Sequence, residues 1–190
     1  MRKNLLAGTS VIVTLLVTCA LQAATIERTE LRFRGRTYHY LFSAHLSANP
    51  EAVRAVVSDI ERLARLNDNI ITSQVLARES PTKIKRRLLL KHCILVFCFD
   101  IDFVETLEVL PSGDIATRII PGAGNFERGE TIWRIEAISD TATRVTMEAD
   151  QEPKFWIPPL IGPLLIKRSF INEVTETLQN LERIANAPLQ

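Results

Sequence analysis

Few residues in this chain combine reactive chemistry with surroundings that would make use of it. Glu105 falls in phase with Ile101, Phe103, Leu107 and Val109, so an extended strand turns all five toward one face. A carboxylate in that company costs free energy unless it is paired or protonated. It could hydrogen-bond the polar end of a ligand, act as a general base, or pair with a neighbouring arginine such as Arg118. Lys167 poses a similar choice, because it stands in helical phase between Leu164 and Ile171. It either lays its stem over apolar surface and reaches water, or sets a cation at a cavity mouth.

Other constellations fail on context. His39 and His45 share the more polar face of one alternating strand, too far apart to bind one ligand, and are read as solvated or edge-bonded. The chain carries no Gly-x-Ser-x-Gly and no His-Glu-x-x-His. Pro121-Gly122-Ala123-Gly124 has glycines but opens no helix, so it reads as a loop, and a mobile one, rather than a dinucleotide cradle. No metal and no cofactor is expected.

Cys93 and Cys98 lie in the almost wholly apolar end of a long strand running from Lys83 to Phe99. Five residues of strand span about 16 Å, whereas a disulfide needs about 4.4 to 6.8 Å between α-carbons. The pair therefore reads as two buried, inert thiols, the alternative being a strand broken by a bulge.

The elements that would position these residues follow from hydropathy. Arg2 and Lys3 precede an apolar run from Leu5 to Leu21, and Leu21-Gln22-Ala23 suits signal-peptidase cleavage, so residues 1–23 are expected to be a signal peptide and residues 24–190 one domain. An uncleaved membrane anchor, or a lipoprotein acylated at Cys19, are the alternatives. Of 190 residues 46% are hydrophobic and 24% charged, enough for one folded core and too few polar groups for disorder. The formal net charge of +1 provides no basic field for nucleic acid.

Arg34-Gly35-Arg36 links two strands, and Tyr38, Tyr40, Phe42, Ala44 and Leu46 form the apolar face of the second. Asn49 and Pro50 start a helix that breaks near Ser58-Asp59 and ends at Asn67-Asp68-Asn69. Strands then follow at hairpin spacing as far as Gln151, an antiparallel meander. The chain closes on a helix from Pro158 to Ala187, with Leu160, Leu164, Ile171, Val174, Leu178, Leu181 and Ala185 as its apolar stripe. Its approach, Phe155-Trp156-Ile157-Pro158-Pro159, is unusually aromatic and proline-rich. That suits a ligand entrance, a membrane surface, or a staple onto the sheet edge.

Strand, helix pair, strand meander and long closing helix together resemble the helix-grip fold of START-like domains. The chain is similar in particular to the polyketide cyclase and coenzyme Q-binding START-like families and their exported bacterial members. The resemblance rests on Ser47-Ala48-Asn49-Pro50-Glu51-Ala52-Val53, Cys93-Ile94-Leu95-Val96-Phe97-Cys98, Phe126-Glu127-Arg128-Gly129 and the run from Phe155 to Pro163. It implies an α+β fold, a curved antiparallel sheet around a C-terminal helix, with an apolar cavity between them.

The family would place a ligand against Phe103, Leu107, Trp133, Ile135 and Met147 from the sheet and Ile171, Val174 and Leu178 from the helix. Glu105 would orient one end, Lys167 would stand at the mouth, and Phe126, Phe155 and Trp156 would form the entrance. The expected function is periplasmic binding or transfer of a lipid or isoprenoid quinone, with transient membrane contact and no nucleic-acid partner. No residue set matches a cyclase's acid and base, so catalysis is not expected. A small-molecule enzyme using Glu105 with a helix cation, and an interaction module with a filled cavity, remain as alternatives.

Overall fold

The computed structural model describes residues 24–94, 97–155 and 162–188. The expected signal peptide, Cys19, Trp156 and Leu160 lie outside these residues. Eight antiparallel strands form one sheet: β1 (Thr25–Arg34), β2 (Thr37–Leu46), β3 (Ile70–Arg78), β4 (Lys83–Ile94), β5 (Phe97–Val109), β6 (Ile115–Ile119), β7 (Phe126–Ser139) and β8 (Ala142–Pro153). Their order across the sheet is β1-β2-β8-β7-β6-β5-β4-β3. Strands β3 to β8 form a meander of successive neighbours, and the β1–β2 hairpin closes against β8. The register shifts in the β1–β2, β3–β4 and β7–β8 pairs. Each extra residue bends its strand and adds twist, which a sheet needs in order to wrap a helix.

The first helical region forms as its capping residues dictate. Asn49 Oδ1 accepts the N–H of Glu51 at 2.9 Å and of Ala52 at 3.1 Å, and Pro50 opens α1 (Pro50–Ser58). The break comes at Asp59, after which a 3-10 segment runs over Ile60–Arg65. Asp59 holds that segment through Arg62 at 2.6 Å and Arg65 at 3.1 Å.

Helix α2 (Gly162–Ala185) lies on the sheet. Val174, Leu178 and Leu181 join Phe42, Leu46, Val53, Ile135 and Val145 in one core. Side chains also fasten it along its length. Ser47 donates its N–H to Glu182 at 2.7 Å, Leu66 accepts from Asn180 at 3.1 Å, and buried Asn67 donates to Thr177 Oγ1 at 3.1 Å. The last two bonds satisfy the turn that leaves the 3-10 segment and fix its distance from the helix, and the first ties the chain after β2 to the end of α2.

Two sequence readings need correction here. Lys83 to Phe99 is not one strand, because the chain reverses between Ile94 and Phe97, placing Cys93 directly opposite Cys98. Their α-carbons are 4.0 Å apart and the sulfurs are joined in a disulfide. Both cysteines are exposed rather than buried. A reversal turns distance along the chain into adjacency across a ladder, which removes the argument from strand length.

The loop after β6 is pinned to β5 rather than free. Asn125 N–H donates to the Asp102 carbonyl at 2.9 Å, Asn125 Oδ1 accepts the Asp102 N–H at 2.7 Å, and Lys154 Nζ donates to the Gly124 carbonyl at 2.9 Å. Gly124 is required there, since a Cβ would overlap the Asp102 carbonyl oxygen.

Candidate ligand cavity

Between the sheet, the 3-10 segment and α2 lies a cavity of about 250 Å³. The strands contribute Phe42 from β2, Arg86, Leu88 and Leu90 from β4, Leu107 from β5, Ile115 and Thr117 from β6, Trp133 from β7 and Met147 from β8. Leu63, Leu66, Asn67 and Ile70 close one side, and Phe170, Glu173, Val174 and Thr177 supply the helical wall. Aliphatic and aromatic groups dominate, with a few convergent polar ones, a composition typical of small-molecule sites.

Of the sheet residues expected to meet a ligand, Leu107, Trp133 and Met147 line this cavity, as does Val174 from the helix. Ile135 and Leu178 are buried in the adjoining core. Phe103 shares a strand face with Glu105 and Leu107 but lies beyond the cavity lining. Its ring stacks on Phe126 at 4.4 Å, and Phe126 in turn meets Phe155 edge-on at 6.1 Å. Phe126, assigned to the entrance, is buried, so this aromatic trio packs the middle of β5 against the start of β7 and the chain just past β8.

Lys167 and Ile171 do not face the cavity; both are exposed. The inward stripe passes through Phe170, Val174 and Leu178 at intervals of four, so Ile171 lies one helical step, about 100°, to the side. Lys167, four residues before Ile171, shares its outward side. Phe170 was the anchor missed, although it is the larger apolar residue beside Ile171. It packs on Tyr40 at 5.0 Å and on Phe42 at 6.4 Å. Burial pushes the Tyr40 phenol well above its ordinary value, with the charges of Tyr38 and Glu173 adding to the shift, so it stays protonated.

Glu105 is buried, and its partner is Arg86 rather than Arg118. Arg86 Nε donates to Glu105 Oε1 at 2.7 Å and its terminal nitrogen approaches at 2.6 Å. These residues lie directly opposite each other on β4 and β5. Arg118 points to the other side and pairs with exposed Glu130. Arg86 reaches the cavity while Glu105 neutralises it from behind, so the cavity meets a compensated guanidinium. Alternation along β4 placed Arg86, Leu88 and Leu90 on one face, a signal visible once the strand's end at Ile94 is known.

The fourth residue on that face is His92. Its Nδ1 is 2.6 Å from Glu173 Oε1 and its Nε2 is 2.9 Å from Ser169 Oγ. Asn69 Nδ2 donates to the same Glu173 oxygen at 3.2 Å. Neither His92 nor Ser169 stands out by spacing, because the contact joins β4 to α2 across most of the chain.

A curved sheet gripping one long helix over an apolar cavity defines a START-like ligand-binding architecture. The chain belongs to the family described as polyketide cyclase/dehydrase and lipid transport, whose model matches residues 41–186. The fold is similar to the Zhui aromatase/cyclase from Streptomyces sp. R1128, with a TM-score of 0.64 at 14% identity over 78% of this chain and 93% of that one. A START superfamily protein from Mycobacterium smegmatis matches with a TM-score of 0.62 at 19% identity, over 76% and 97%. Human STARD10 matches with a TM-score of 0.60 at 13% identity, over 80% and 72%. No curated protein matches the chain in sequence.

Proposed function

We propose that this protein binds a hydrophobic small molecule, a lipid or isoprenoid quinone, in the cavity between sheet and α2 and carries it in the periplasm. The observation that carries this reading is the lining itself, a largely apolar wall with Arg86, held by Glu105, and Thr117 on the sheet side and Asn67, Glu173 and Thr177 on the side of α2. Apolar burial at about 25 cal/mol per Å² supplies the affinity, and the guanidinium orients a carbonyl or other acceptor at the ligand's polar end. Family membership supports ligand binding of this kind. Because Glu105 is engaged by Arg86, it is poorly placed to act as the base of a cyclase-like reaction, which favours binding over that alternative.

The Cys93–Cys98 bridge supports an exported protein, since disulfides persist in oxidising compartments. Transient contact with a membrane belongs to the same reading, as loading and release need a lipid phase.

Native mass spectrometry of the full chain, expressed with its own N-terminus and recovered from the periplasm, tests the proposal. A co-purified hydrophobic molecule at one per chain is expected, and Leu107→Trp, which fills the cavity, should lose it. A ligand-free wild type that also fails to take up a ubiquinone analogue or a fluorescent fatty acid would overturn the binding. Recovery of the chain only from the cytosol, with residues 1–23 intact, would overturn export.

A further inference from the structure

We propose that Ser169, His92 and Glu173 form a nucleophile relay that accepts the acyl group of a carboxylic ester presented beside the cavity. The geometry is directional. Glu173 as a carboxylate can only accept, so the proton of the 2.6 Å contact sits on His92 Nδ1. In the neutral ring that leaves Nε2 as an acceptor, 2.9 Å from the Ser169 hydroxyl. Nucleophile, base and orienting acid are thus connected through the two opposite nitrogens of one imidazole, the arrangement that raises a hydroxyl's nucleophilicity.

The supporting shell is also in place. Asn69 donates to Glu173 Oε1 at 3.2 Å, and Asn67 donates to the Glu173 carbonyl at 3.3 Å. The His92 side chain is 13% exposed and that of Glu173 25%, while Ser169 is half-buried, so water is limited and a reagent can reach the hydroxyl. The relay adjoins the ligand cavity directly, because Glu173 and Phe170 both line it. An ester whose acyl chain occupied the cavity would bring its carbonyl to this end of α2.

In the first step the Ser169 oxygen bonds to the carbonyl carbon as its proton passes to His92 Nε2. Collapse of the tetrahedral adduct breaks the bond to the alcohol oxygen, which leaves carrying that proton. Water then adds to the acyl carbon by the same route and releases the carboxylic acid, restoring the serine. Ser169 lies in the second turn of α2, where backbone amides are bonded within the helix rather than aimed at an oxyanion. Both steps pass through an oxyanion, so acylation is expected only from activated esters and turnover is expected to be slower still.

The test treats the full chain with p-nitrophenyl octanoate and, separately, with a fluorophosphonate probe, followed by intact-mass measurement and peptide mapping. A burst approaching one equivalent of p-nitrophenol and a single adduct on Ser169 are expected. Ser169→Ala should remove both. His92→Gln should slow labelling by about 100-fold or more, the scale of a lost general base. Glu173 is a positioning residue. Glu173→Gln should slow labelling while Glu173→Asp restores part of the rate, a rescue that a merely structural contact would not produce. Absence of any adduct on the wild-type chain, mapping to another residue, or unchanged labelling in a folded His92→Gln protein would overturn the proposal. The wild-type mapping decides the matter even if a variant fails to fold. It is also independent of whether a ligand co-purifies.

Discussion

Two charged clusters meet the wall of one largely apolar cavity, and they are built differently. Arg86 and Glu105 face each other on adjacent strands, both almost fully buried, each the other's charge partner. Ser169, His92 and Glu173 bridge from a strand to the helix nearer the solvent, and they hold neutral and charged groups in a directed line. The inner pair is closed, since each removed charge would strand the other in low dielectric. The outer relay can move a proton without leaving an uncompensated ion. Burial thus separates a closed, charge-compensated pair from a line of groups that a reagent can reach.

The largest effect should come from opening the inner pair. Glu105→Ala leaves Arg86 charged and buried, and should cost about 3–5 kcal/mol in urea unfolding. The double replacement R86M/E105L should recover most of that loss. Equal costs for single and double variants would show that the pair is hydrated, and would erase its contrast with the relay.

Next in size is the bridge that closes the β4–β5 hairpin beside His92. By loop-closure entropy, reducing Cys93–Cys98 should cost about 2 kcal/mol. Amide exchange should rise around residues 90–93 and stay unchanged at 104–106, because the inner pair is held by its own partners. Breaking the relay itself should matter less to stability. His92→Ala should lose about 0.5–1.5 kcal/mol, the scale of an ordinary hydrogen bond near solvent, measured as a lowered Tm with the fold intact.

The exposed Glu27–Arg144 pair gives the lower reference point. The Arg144 hydrogen bond holds the Glu27 carboxyl below its ordinary value against a small opposing burial effect. Its contribution is present above the unfolded-state value and disappears as pH falls through the lower folded-state value. Solvent screening limits it to below about 1 kcal/mol. Melts of wild type and Glu27→Gln between pH 7 and 3 should differ only by that small acid-side slope. A larger difference would mean that β1 holds the sheet more firmly than an exposed edge strand should.

Local chemistry was legible along the chain to the extent that it is local. The cap at Asn49, the break at Asp59, the alternation of β2 and the hairpin spacing are decided within a few residues, and they identified the elements and their order. The cavity was harder to read. Leu107 and Val174 fell on faces that periodicity predicts, and Trp133 and Met147 lie where the family resemblance put them, whereas Ile171 and Lys167 were assigned to the wrong side by one helical step. An amphipathic stripe is wide enough to admit either phase, and only packing on Tyr40 and Phe42 selects Phe170.

Pairings across the sheet and onto the helix had no sequence signal at all. Glu105 required a cation, but only the β4–β5 register chose Arg86 over Arg118. Cys93 and Cys98 looked too far apart until the chain reversed between them. His92 and Ser169 are separated by 77 residues and meet only because α2 lies across the end of β4. Residue type and period determine what each segment can bury; which polar groups then share that buried space is decided by register and helix placement, because those are set by the packing of the whole core.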